Sequence, residues 1–89
     1  MPQRTVVVAS GVGLHARPAA LFSQEAAKAP AAVVLTAASG RSANAASILG
    51  VLSLGIDHGE RVTLSSEGEG ADAALDALVA MLQRDLDLE

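Results

Sequence analysis

Apolar residues along this chain change their spacing from one segment to the next, and each change marks an element. Residues 4–9 gather β-branched side chains in a short run, which predicts a strand. A Gly-rich loop follows over residues 10–13. Residues 18–29 then take helical spacing, with Ala19, Phe22 and Ala26 on one face. Pro18 belongs in the first turn of that helix, where a missing N–H costs nothing, and Ala29-Pro30 marks its end. Residues 32–37 and 41–44 read as two strands, hairpinned through Ser39-Gly40. Residues 45–54 are apolar on most faces and predict a two-turn helix carrying Ile48, Leu49, Val51 and Leu52. Gly55 suits its C-terminus, where a left-handed residue is often needed. After a turn at Gly59-Glu60, residues 61–66 alternate Val62 and Leu64 with polar neighbours, as a half-buried strand does. Residues 67–70 form a loop. Residues 71–86 predict a last helix with Leu75, Leu78, Val79 and Leu82 along one side. Asp72 in its first turn and Arg84 near its end match the macrodipole.

The order β-α-β-β-α-β-α predicts an α+β open-faced sandwich, in which one antiparallel sheet carries three helices on one face. Each helix offers a single apolar stripe, so all three belong on the same side. Thr5, Thr63 and Ser65 then fall on the solvated face.

Composition narrows the function classes. The 89 residues are 51% hydrophobic but only 1% aromatic, with no cysteine and a formal charge of −4. That apolar fraction argues against disorder, and the length fits one domain. A chain without cysteine has no disulfide scaffold, thiolate zinc site or thiol nucleophile. No segment resembles a secretory leader or a membrane span, so a cytoplasmic protein with no membrane insertion is expected. An acidic balance with almost no rings argues against nucleic acid.

The informative chemistry lies in Gly13-Leu14-His15-Ala16-Arg17-Pro18-Ala19-Ala20. Pro18 fixes where the helix can begin, which puts His15 at or beside its N-cap. Backbone N–H groups of Ala16, Arg17 and Ala19 lie close by. A helix N-terminus attracts anions, and the Arg17 guanidinium can fork onto phosphate oxygens. The same positive potential keeps an imidazole neutral and nucleophilic. A histidine beside a helix start also serves as a simple cap, but Arg17 and Pro18 at these offsets favour a phosphorylatable histidine. No metal or cofactor is implied. His58, in a turn, reads as a surface residue, and Glu67 and Glu69 as a solvated loop.

This segment closely resembles the active-site segment of the HPr family, the histidine-containing phosphocarriers of the bacterial sugar phosphotransferase system. Residues 44–55, from Asn44-Ala45-Ala46-Ser47-Ile48 to Leu54-Gly55, resemble the family's regulatory-serine helix. The resemblance covers essentially all 89 residues as a single domain. It implies the sheet order 1-4-2-3, which periodicity cannot supply. It also implies that His15 takes a phosphoryl group from phosphorylated enzyme I and passes it to IIA domains of sugar permeases. On that resemblance His15 and Arg17 are catalytic, and backbone N–H groups of Ala16 and Arg17 hold the phosphate. Ser47 is then the site of an HPr kinase, and Ala20, Ile48, Leu49 and Leu52 face partners. At least one of Ile48, Leu49 and Leu52 is expected in the core. Such a carrier is a substrate of its partners, without turnover of its own, and is expected to be a monomer.

Two positions depart from the pattern. Val12 stands where the family commonly has a polar residue. Gln24, Ala46 and Gly50 stand where lysines often flank the site, leaving Lys28. Charge steering is therefore expected to be weak. A second functional class, an acyl-carrier-like protein with a modified Ser47, fits the size and acidity. The three Val-rich strands contradict its all-helical bundle.

Overall fold

The computed structural model describes residues 2–9, 11, 13–14 and 16–84. The elements are β1 (Gln3–Val7), α1 (Ala16–Ala27), β2 (Val33–Thr36), β3 (Ser42–Asn44), α2 (Ile48–Ser53), β4 (Arg61–Ser66) and α3 (Ala71–Leu82). The four strands form one antiparallel sheet in the order β1-β4-β2-β3.

The register explains the two faces. Arg4, Leu64, Leu35 and Ala43 form one row across the sheet, and Thr5, Thr63, Thr36 and Ser42 form the next. Alternation sends the first row toward the helices and the second away from them. Val6, Val8, Val33, Leu35, Val62 and Leu64 are buried on the inner face. Phe22 of α1, Val51 of α2, and Leu75, Leu78 and Leu82 of α3 close the core over them. The single aromatic residue is thus spent entirely on packing. The open face is hydroxyl-rich, as the polar alternates Thr5, Thr63 and Ser65 imply.

Element boundaries shift for local reasons. α1 begins two residues before the expected start, because Pro18 is tolerated throughout the first turn, where no intrahelical N–H bond is required. It also ends two residues early. The N–H groups of Lys28 and Ala29 bond Glu25 and Ala26 carbonyls at 3.1 Å each, a tightened turn ahead of Pro30. The Val8 N–H still bonds the Glu60 carbonyl at 3.0 Å, but β1 goes no further because the Val8 carbonyl accepts from the Gly59 N–H at 2.9 Å and the Ala9 N–H turns to the Leu82 carbonyl at 3.0 Å. β2 and β3 are shorter than expected by one residue at one or both ends. α3 stops at Leu82, with Gln83 as its C-cap, and residues 85–89 lie outside the described residues. No described helix is long and apolar enough to cross a membrane.

Candidate functional site

His15 lies outside the described residues, as does Val12. The chain before and after position 15 packs against the core. Gly13 has φ +72°, a left-handed conformation that favours glycine. A Cβ there would collide with the Ile56 carbonyl and come within 2.7 Å of the Asp57 Cα. The next residue, Leu14, is fully buried and donates its N–H to the Ile56 carbonyl at 2.9 Å. Downstream, Pro18 and Ala19 are buried again. The candidate segment is therefore flanked by buried residues on both sides, and the close approach of residues 56–57 holds Gly13 and Leu14 ahead of α1.

Arg17 is exposed and has no ion-pair or hydrogen-bond partner among the described residues. It sits in the first turn of α1, a turn with no acidic residue. A cation there opposes the helix dipole, which favours negative charge at this end. An incoming anion is attracted by both the guanidinium and the helix end, which offsets their mutual repulsion. The Ala16 and Arg17 N–H groups belong to the same turn, whose donors have no preceding helical carbonyl. Ala20 follows one turn later and is half-buried.

α2 stands beside this helix. Ser47 caps it, its Oγ accepting from the Gly50 N–H at 3.1 Å. The helix expected over residues 45–54 opens only at Ile48. The Asn44 Oδ1 accepts the Ala46 N–H at 2.9 Å and holds residues 44–47 in a turn. Ile48, Leu49 and Leu52 are 41%, 78% and 37% exposed. None of the three is core, contrary to the sequence expectation; Val51 and Leu54 supply the buried face instead. A shallow groove between α1 and α2 is lined by Ala20, Ser23, Gln24, Ala27, Ala46 and Ile48. So the structure brings Ala20 and Ile48 together, and Leu49 and Leu52 extend the same helix. Sequence reasoning missed Ala27 and the buried Ser23 in this groove; their signal was helical spacing from Ala20. His58 is exposed, as are Glu67 and Glu69.

Residues 2–84 match the family model described as "PTS HPr component phosphorylation site". The chain belongs to the PTS HPr family. An HPr phosphocarrier of Streptomyces coelicolor is 42% identical over 98% of this chain and 94% of its own. The HPr-like protein Crh of Bacillus subtilis is 43% identical over 97% of this chain and all of its own. In three dimensions an HPr of Thermoanaerobacter tengcongensis superposes with a TM-score of 0.92 at 38% identity, covering 100% of this chain and 99% of that one. HPr membership makes the chain a phosphocarrier-type protein of the phosphotransferase system. It also agrees with the observed sheet order and with helices on one face only.

Proposed function

We propose that the whole chain acts as one cytoplasmic, monomeric carrier domain that accepts a phosphoryl group on His15 from phosphorylated enzyme I. It then passes the group to IIA domains of sugar permeases. In the first step the P–N bond in enzyme I breaks as one forms to the His15 imidazole; in the second, that new bond breaks as one forms to the acceptor side chain of the IIA domain. Little covalent help is needed, because phosphoryl transfer depends mostly on positioning and electrostatics. The exposed Arg17 guanidinium in the first turn of α1, two residues from His15 and without a partner among the described residues, is the observation that carries this reading. The Ala16 and Arg17 N–H groups add the helix-end donors that a phosphoryl oxygen requires. Ala20, Ile48, Leu49 and Leu52 are the partner-facing residues in this reading, and three of them are large and exposed. Ser47 is the regulatory position, open to an HPr kinase at the α2 N-cap. A phosphate there would set a charge of about −1.5 to −2 beside the apolar patch and weaken docking.

Incubation with phosphoenolpyruvate and enzyme I from the same genome, followed by intact mass, tests the reading. One acid-labile phosphoryl group is expected, absent in His15→Ala. Arg17→Ala should slow transfer at least about tenfold, with the fold intact because Arg17 is exposed and makes no ion pair or hydrogen bond among the described residues. No label from an enzyme I shown to be phosphorylated would remove the carrier function.

A further inference from the structure

One half-buried side chain outside the candidate segment ties together the end of the sheet on which that segment rests. Glu60 immediately precedes β4. Its Oε2 accepts the Ala38 N–H at 3.0 Å, just past β2, and its Oε1 accepts the Asp57 N–H at 3.2 Å. The Glu60 N–H closes the turn by donating to the Asp57 carbonyl at 3.1 Å, and the Glu60 carbonyl takes the Val8 N–H at 3.0 Å. Residue 60 therefore joins the ends of β1 and β2 to the turn over residues 57–60. The next bond leads to the site. The Ile56 carbonyl, adjoining Asp57, accepts the N–H of Leu14, and Leu14 directly precedes His15.

We infer that Glu60 is a positioning residue for phosphoryl transfer: its carboxylate holds residues 56–57 where they seat Gly13 and Leu14, and through them the acceptor histidine. The Ile56 side of this seat is anchored by a fully buried side chain, whereas Asp57 and Ala38 are exposed and owe their link to the Glu60 oxygens. A carboxylate offers an acceptor to each of the two N–H groups, and its charge strengthens both bonds. An amide of the same length offers one oxygen and turns an NH2 toward the other donor. Contact with Gly13 is too close to absorb a shift of the turn, since a Cβ there would already lie 2.7 Å from the Asp57 Cα. Close-packed segments transmit such displacements instead of damping them. Phosphoryl transfer depends on alignment of the attacking atom, so a small displacement at Leu14 reaches the rate. Loss of the carboxylate leaves both N–H groups to water and removes no side chain from the core.

This inference rests on the carrier reading. Steady-state transfer from phosphorylated enzyme I of the same genome to the parent chain, Glu60→Gln and Glu60→Ala tests it, at a temperature where unfolding curves show all three folded. Both variants should lower kcat at least about fivefold. KM should move less than about twofold, because the partner-facing side chains on α1 and α2 lie outside this network. Amide hydrogen exchange on the same proteins supplies the second readout. Exchange of the Leu14 N–H should quicken at least about tenfold more than that of Leu64, which sits in β4 between β1 and β2. A glutamate that merely supports the fold predicts equal changes at Leu14 and Leu64 and an unaltered kcat in the folded variants. Either of those results, or a raised KM with kcat retained, overturns the inference while transfer to the parent upholds the carrier reading. A parent chain that takes no phosphoryl group from a charged enzyme I refutes the carrier reading, and this inference with it.

Discussion

Ser66 and Ser23 are both buried, yet their hydroxyls meet different surroundings. Ser66 donates from Oγ to the Ala32 carbonyl at 2.8 Å. Ser23, 5% exposed on the inner side of α1, has no partner for its Oγ among the described residues. A buried hydroxyl without a partner forfeits its hydration and gains nothing in return. Ser23→Ala should therefore raise stability by about 1 kcal/mol, helped by the better helix propensity of alanine. On a domain of this size that is a rise in Tm of roughly 4–8 °C, measurable by thermal or urea unfolding. An unchanged or lower Tm would show that the hydroxyl finds a partner in solution. This position was legible in principle: Ser23 falls at i+4 from Ala19 and i−3 from Ala26, inside the apolar stripe. Gly13 was legible only by half. The Gly-rich loop stands out in the sequence, but the carbonyl that forbids a side chain there belongs to Ile56, far along the chain.

Elements show the same division between what is local and what is not. Most strand and helix types follow from period 2 against period 3.6, and all seven elements occur in the expected order with shifted ends. Their ends follow from hydrogen bonds that no hydrophobic count contains. α2 is the clearest case. With six residues it is too short to persist alone, and side chains define both its ends. Ser47 caps its start, and the Ser53 Oγ donates to the Gly50 carbonyl at 2.7 Å. Ser47→Ala should cost about 0.5–2 kcal/mol, the usual loss of an N-cap. Ser47→Asp should restore most of that stability, since aspartate caps equally well. In the carrier reading it should also weaken docking, because it sets a carboxylate next to Ile48 and Leu49. Unfolding and partner-binding measurements on the two variants therefore separate a structural serine from one placed to regulate. Equal binding by Ser47→Asp and the parent would deny it the second role.

At the scale of the whole molecule, strand order depends on which edges meet, and period carries no information about that. The order β1-β4-β2-β3 came from resemblance, whereas layer and face came from residues. The topology leaves β1 at one edge of the sheet, paired only with β4. Arg4 ties this edge across to α3. Its Nη2 lies 3.0 Å from Asp72 and its Nε 3.1 Å from Asp76, two carboxylates one helical turn apart. The hydrogen bonds to Asp72 and Asp76 raise the guanidinium pKa above its already high ordinary value. A folded-state pKa raised in this sense stabilises the fold at every pH below the unfolded value, and the gain fades only as pH climbs through the folded one. Arg4 itself therefore contributes no pH dependence between about pH 6 and 10. All three side chains are solvated, so screening should govern the clasp. Arg4→Ala is expected to lower Tm by roughly 1–5 °C in low salt, constant across that pH range and shrinking in about 0.5 M NaCl. A Tm loss that ignores salt would assign the anchoring of β1 to the apolar stem of Arg4 against α3 rather than to its charge.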